Sequence, residues 1–284
     1  MPFGYFPPRS WATVRSNWRH ELRYGVLGQD NLIKRAHVAQ TFEFLDLDAD
    51  LEVLEVGAGG LYYAGEIARK VKRMVALERI DRFHEWLFSR RHSGTLAAVR
   101  GDAQALPFAD SSFDLVFLSE VIPVLPDPLA CLNDIARVLR PGGRVVIVNG
   151  KWWGEMEGLF RSPLLRRLID ASHRKWGTPR TYEAFLARHR EVHGTQGAYF
   201  QNTEGFVLDL VQRAGLVVER KEWGVGPSAE RLICFLLLVN MWLTGKLVLG
   251  GGQSLWLPVL KLLDLGASKS KGLTLFVSAR KRAT

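Results

Sequence analysis

Three carboxylates stand where a nucleoside could be held. Glu55 closes the run Leu51–Leu54 and is followed by three glycines in four positions, Gly57, Gly59 and Gly60. Glu78 ends the apolar run Met74–Leu77, twenty-one residues after Gly57, and Asp102 follows Leu96–Arg100 and Gly101. A strand that stops at glycines and hands over to a helix is expected to leave N–H groups free, and backbone without Cβ atoms lets a ligand approach them. In parallel α/β sheets, ligands bind at the carboxyl ends of the strands, where strand order reverses. A carboxylate at Glu78 is placed to accept hydrogen bonds from ribose hydroxyls, and Asp102 from an adenine amino group. The nicotinamide fingerprint G-x-G-x-x-G needs a third glycine where this chain has Tyr62, which disfavours a pyrophosphate. Glu55 suits a ligand with a positive end. The pattern points to an amino-acid-bearing nucleoside.

These residues need a frame to hold them. Leu51–Val56, Met74–Leu77, Leu96–Arg100, Phe113–Leu118 and Arg144–Val148 read as strands. Between them Tyr62–Val71, Asp81–Arg91 and Leu129–Leu139 read as helices, with a sharp turn at Arg140–Gly143. Short apolar strands alternating with helices indicate a doubly wound, mostly parallel sheet, an α/β fold. The rhythm breaks after Asn149. Gly150–Thr203 is polar and basic, with helices expected around Ser162–Trp176 and Tyr182–His189. Glu204–Ala214 (helix), Leu216–Glu222 (strand) and Gly272–Ala279 (strand) resume the fold, and the apolar segments Ser228–Leu247 and Ser254–Leu265 fall between the last two.

Composition excludes some classes. The chain has 284 residues, 47% hydrophobic and 24% charged, ordinary for a globular protein with a large core. Its two cysteines, Cys131 and Cys234, argue against a disulfide framework and for a reducing cytosol. No metal-ligand spacing is present, so no metal is expected. The first twenty residues carry no uninterrupted apolar run and do not read as a secretory signal. A net charge of +9 fits nucleic acid, an anionic membrane surface, or merely a basic enzyme.

The sequence resembles the class I S-adenosylmethionine-dependent methyltransferases of the small-molecule type that includes quinone-biosynthesis enzymes. The resemblance runs through Leu54–Gly59 (LEVGAG), Val75–Glu78 (VALE), Gly101–Phe108 (GDAQALPF), Ser112–Ser119 (SFDLVFLS) and Val138–Val146 (VLRPGGRVV). It implies a seven-stranded Rossmann-like sheet and S-adenosylmethionine as cofactor. By position it implies that Glu55, Gly57, Ala58 and Gly59 face the methionine part, with Glu55 near the ammonium group. Glu78 would hold both ribose hydroxyls, Arg79 would lie beside the adenine, and Asp102 and Ala103 would read its edge. Ser119 and Glu120 would sit where the fourth strand opens toward cofactor and substrate, or else cap a helix. Two departures stand out. Leu61 occupies a position where the family commonly has glycine, and the histidine that often precedes the Leu-Pro after strand four is missing. The general base is therefore unassigned; His173, His189, His193 and Glu120 are candidates.

Methyltransferases of this fold usually build the acceptor pocket from an N-terminal extension and from insertions after strands five and six. Here these are residues 1–50, a helical extension or lid, and 150–203 and 228–265 within a domain over 51–284. Their aromatics and apolar runs suit a lipophilic acceptor, contact with the inner face of a membrane, a cover for the sheet, or a dimer face. RNA is the competing acceptor, but the [N/D/S]-P-P-[Y/F] tetrapeptide and any recognisable RNA-binding module are missing. A non-catalytic cofactor-binding protein is the third reading, opposed by the intact set Glu55, Glu78 and Asp102.

Overall fold

The computed structural model describes residues 32–59, 61, 63–79, 95–150, 154–193, 203–245, 259, 262–263 and 272–283. In chain order the elements are α1 (Leu32–Leu45), β1 (Glu52–Val56), α2 (Ala64–Ile67), β2 (Arg73–Glu78), β3 (Leu96–Arg100), β4 (Phe113–Ser119), α3 (Pro128–Val138) and β5 (Leu139–Gly150). Then come α4 (Gly154–Arg161), α5 (Pro163–Trp176), α6 (Tyr182–His193), α7 (Glu204–Arg213), β6 (Leu216–Gly224), α8 (Pro227–Thr244) and β7 (Thr274–Lys281). The helix expected over Asp81–Arg91, the aromatics of the first thirty-one residues, Trp152, Trp153 and most of Ser254–Leu265 lie outside the described residues.

The strands form one seven-stranded sheet in the order β3-β2-β1-β4-β5-β7-β6. β1 pairs in parallel with β2 and with β4, β2 with β3, and β4 with β5. The sheet is mostly parallel and carries an antiparallel pair. The chain runs outward from β1 to β3 and returns on the other side of β1 at β4. The carboxyl ends of β1 and β4 therefore flank the switch point, where an open α/β sheet binds its ligand. Val53, Leu54, Val56, Met74–Leu77 and Leu115–Leu118 are buried, as strands covered on both faces must be.

Two expectations change shape. The helix read over Tyr62–Val71 shortens to Ala64–Ile67, with Gly65 inside it, where a glycine costs about 1 kcal/mol relative to alanine. The turn read at Arg140–Gly143 is a bulge inside a longer strand. Phe113 pairs with Leu139 and Leu115 with Arg144, so two steps along β4 match five along β5. The surplus residues turn at Gly142, whose φ is 76°. At this amino end of the sheet, Asp114 accepts from the Glu52 N–H at 2.8 Å and from Arg140 Nη1 at 2.7 Å, fastening β1, β4 and β5 together.

The described residues fall into two compact units. One holds 41–150 with the described parts of 196–222 and 275–283, and so most of the sheet. The other draws on the described parts of 1–40, 151–195 and 223–274. Its own core gathers Phe160, Ile169, Phe185, Ile233, Cys234, Leu237 and Met241 from α4, α5, α6 and α8. Within it the buried Ser172 Oγ donates to the Met241 carbonyl at 3.0 Å and lies 2.6 Å from Thr178 Oγ1.

Candidate active site

The turn after β1 is bonded to β2. The N–H groups of Gly57 and Ala58 both donate to the Leu77 carbonyl, at 2.8 and 3.0 Å. The Gly59 N–H donates to Glu78 Oε2 at 2.8 Å. The expectation that this turn leaves its N–H groups free is thus not met at these three positions. The following helix is one turn long, and the neighbouring strand takes the donors instead. The glycines serve conformation and space. Gly57 and Gly59 have φ of 72° and 50°. A Cβ on Gly57 would lie 2.6 Å from Cγ2 of Val121. Leu61, the departure from the family pattern, has φ of 58° and donates its N–H to the Ala58 carbonyl at 2.9 Å. It adopts the left-handed conformation that a glycine would take without strain.

Glu55 and Glu78 are buried, 3% and 7% exposed. Glu55 stands in register with Ala76 on β2 and Phe117 on β4, in the middle of the sheet. Glu78 Oε1 accepts from the Arg79 N–H at 2.8 Å, so each of its oxygens holds one backbone donor. Its carbonyl accepts from the Gly101 N–H at 3.2 Å, which ties the end of β2 to the residue before Asp102. Asp102 Oδ1 accepts from the Gln104 N–H at 2.9 Å, and Ala103 is buried.

The loop that carries Asp102 is locked from α3. Arg137 donates to the carbonyls of Leu106 and Phe108 at 3.0 and 2.8 Å, and to Asp110 Oδ1 at 2.8 Å. Asp134, one helical turn earlier, receives Arg137 Nε at 2.6 Å and the Leu106 N–H. Burial alone would raise the Asp134 carboxyl, but the Arg137 guanidinium and the Leu106 N–H together hold it below its ordinary 3.8. Those partners in turn raise Arg137 further above its already basic value. Gln104 Oε1 accepts from the N–H of Asp127, the residue that caps α3.

At the end of β4, Ser119 is buried and its Oγ has no hydrogen-bond partner among the described residues. Glu120 follows with φ of 60°. Its N–H donates to the Val148 carbonyl at 2.9 Å, and both carboxylate oxygens stand 3.0 Å from where a Cβ on Gly150 would be. The short helical turn Ile122–Val124 begins after Val121 with no side-chain cap, so neither Ser119 nor Glu120 caps it.

The structure brings Gly57, Ala58, Gly59 and Glu78 into one bonded cluster, carries it through Gly101 to Asp102, pairs Ser119 with Val148 and sets Glu120 beside Gly150. His173 lies on α5 with Nδ1 2.6 Å from the Thr178 carbonyl, and the side chains of His189 and His193 fall outside the described residues. Sequence reasoning missed Val121, Gly150, Asp134 and Arg137. The last two had a signal, an Asp and an Arg three apart on a helix. Among the described residues no cluster of metal-ligating side chains occurs.

Comparison with known proteins gives this geometry a family. Residues 54–147 match the family described as a methyltransferase domain. A demethylmenaquinone methyltransferase of Mycobacterium sp. (strain JLS) is 36% identical over 208 residues, 68% of this chain and 87% of that protein. One from Beutenbergia cavernae is 28% identical over 230 residues, 73% of this chain and 91% of that protein. Among solved structures, an S-adenosylmethionine-dependent methyltransferase from Mesorhizobium loti aligns over 88% of this chain and all of its own (100%), with a TM-score of 0.56 at 15% identity, a likeness of fold. The chain belongs to the S-adenosylmethionine-dependent methyltransferases of class I, similar to the quinone-biosynthesis enzymes, and is an enzyme that uses S-adenosylmethionine.

Proposed function

We propose that the chain methylates a lipophilic small molecule of the quinol class. The observation that carries this is the likeness to demethylmenaquinone methyltransferases, which extends well beyond the methyltransferase domain itself. The residues at the switch point fit the cofactor. Gly57 sits where a Cβ would strike Val121, so the turn after β1 packs against the end of β4 only as glycine. Glu55 is assigned to the ammonium group, with Gly57, Ala58 and Gly59 along the methionine part. Glu78 is assigned to the two ribose hydroxyls: its two oxygens hold one backbone N–H each and a carboxylate has roughly four lone-pair sites, so capacity remains. Arg79 lies beside the adenine in this reading, with Asp102 and Ala103 at its edge and Ser119 at the opening toward the acceptor. S-adenosylmethionine supplies an electrophilic methyl on sulfonium. The protein's part in an in-line displacement is mainly to hold the acceptor in line and to keep water out.

The acceptor side is assigned to the N-terminal extension and to the insertions at 150–203 and 228–265. The apolar α8 and its buried core support this. Peripheral contact with an anionic membrane surface is part of the same reading. Trp176, Trp242 and Leu243 are exposed in that unit, Lys175 Nζ lies 4.7 Å from the Trp176 ring centre, and the net charge is +9. Among the described residues no helix is long and apolar enough to cross a membrane.

The test is transfer of labelled methyl from the cofactor into a lipid extract and, separately, into total RNA. Label in lipid is expected. Label in RNA and not in lipid would overturn the acceptor class.

A further inference from the structure

We infer that Glu120 is the base that takes the acceptor's proton during methyl transfer. The inference rests on the methyltransferase reading of the site but not on the identity of the acceptor. Four observations converge on it.

The first is order along the sheet edge. Reading from β3 through β2 and β1 to β4, the carboxyl ends carry Asp102, Glu78, Glu55 and Glu120. Under the assignment above, the first three meet adenine, ribose and the methionine ammonium in turn. Glu120 is the next carboxylate along that edge, at the end of the strand beside the one that carries Glu55. The second is proximity. Val121, its neighbour in sequence, is the side chain against which Gly57 closes, so Glu120 adjoins the glycine turn.

The third is conformation. A φ of 60° at a residue that is not glycine costs on the order of 1–2 kcal/mol, and such residues cluster at functional sites. The fourth is room made for the carboxylate. Both oxygens stand 3.0 Å from where a Cβ on Gly150 would be, so a side chain there would crowd the carboxylate and shift it. The buried Ser119 and Asn149 line the same two strand ends.

The step balances without a further reactant. An electron pair on the acceptor forms the bond to the methyl carbon, and the sulfur–methyl bond breaks with its pair left on sulfur. The proton on the accepting atom, or on the hydroxyl that activates it, passes to the Glu120 carboxylate.

The experiment compares wild type with Glu120→Gln, Glu120→Asp and Gly150→Ala. Labelled methyl transfer is run into a total cell extract that is afterwards divided into lipid, nucleic acid and protein. Calorimetry measures cofactor affinity of each variant, and a melting curve checks that each is folded. Glu120→Gln keeps the shape and one acceptor oxygen but not the basicity. It should lose at least about 100-fold in kcat with cofactor Kd unchanged within twofold. Glu120→Asp should recover part of the rate, and Gly150→Ala should fall about 10-fold or more because it displaces the carboxylate. A Glu120→Gln rate within threefold of wild type overturns the inference, as does a loss of cofactor affinity that matches the loss of rate. The fraction that takes up label decides the acceptor class separately: label outside the lipid fraction sinks the quinol reading and leaves the Glu120 comparison intact.

Discussion

At the scale of single residues, the most legible feature was Glu78 and the least legible was how the turn uses it. Its place at the end of a strand could be read from the run Met74–Leu77. That its carboxylate binds the Gly59 N–H could not, because the pairing joins residues nineteen apart. Glu78→Ala should therefore act twice, removing the carboxylate we assign to the ribose hydroxyls and releasing the turn. We expect calorimetry to give a cofactor Kd weakened by roughly 10- to 100-fold, the loss of about one to two charge-assisted hydrogen bonds. Unchanged affinity would remove Glu78 from the cofactor site. Leu61 was legible as an anomaly in the family pattern, and its φ of 58° supplies the reason that pattern favours glycine. Leu61→Gly relieves about 1–2 kcal/mol of strain but adds about 0.5–1 kcal/mol of unfolded-state entropy. The net stabilisation of about 0.5–1 kcal/mol should appear as a Tm raised by roughly 1–3 °C. Leu61→Ala keeps a Cβ in the left-handed region and should not raise it.

At the scale of elements, the strands that carry Glu55 and Glu78 and lead to Asp102 were readable from apolar runs that stop at or before acidic residues, whereas the lock on the Asp102 loop was not. Arg137 and Asp134 look like an ordinary surface pair one turn apart. Only the tertiary fold aims them at the carbonyls of Leu106 and Phe108 and at the Leu106 N–H. Arg137→Ala should leave those carbonyls without a charged donor, lower stability by about 1–3 kcal/mol and weaken cofactor binding without touching the cofactor. The lock also has a pH signature. The folded Asp134 carboxyl lies below its ordinary 3.8, so its stabilising contribution is complete above that value and is lost as pH falls through the lower, folded one. Melting curves taken downward from about pH 5 should therefore fall more steeply for the wild type than for Asp134→Asn. Parallel curves would mean the Asp134–Arg137 pair contributes nothing. Cys131, buried in the same helix with its thiol pushed up to about 12 by burial and by the nearby Asp134 and Asp102 carboxylates, should resist alkylation until the chain unfolds.

At the scale of the whole molecule, alternation of strands and helices was enough to anticipate a parallel α/β sheet, because the period of each segment is local. Which distant segments gather into a second core was not legible, since α4, α5, α6 and α8 are separated in sequence by β6 and α7. Phe185 is the clearest probe of that second core. It is fully buried, with Phe160 at 5.4 Å and Tyr182 at 6.3 Å between ring centres. Phe185→Ala should cost about 3–5 kcal/mol, because a large buried ring leaves a cavity that its neighbours fill only in part. All the residues assigned to the cofactor lie in the other unit. If the two cores are separate cooperative units, hydrogen exchange in Phe185→Ala should quicken across α4, α5, α6 and α8 while β1–β5 keep their protection. Cofactor at about a hundred times its Kd should add roughly 2.7 kcal/mol of protection to β1–β5 in wild type and variant alike. A cofactor Kd weakened tenfold by Phe185→Ala would show instead that the sheet unit depends on the second core for its fold. Methyl transfer would then be lost through the cofactor and not through the acceptor, and comparing cofactor Kd with acceptor KM in the variant tells these two routes apart.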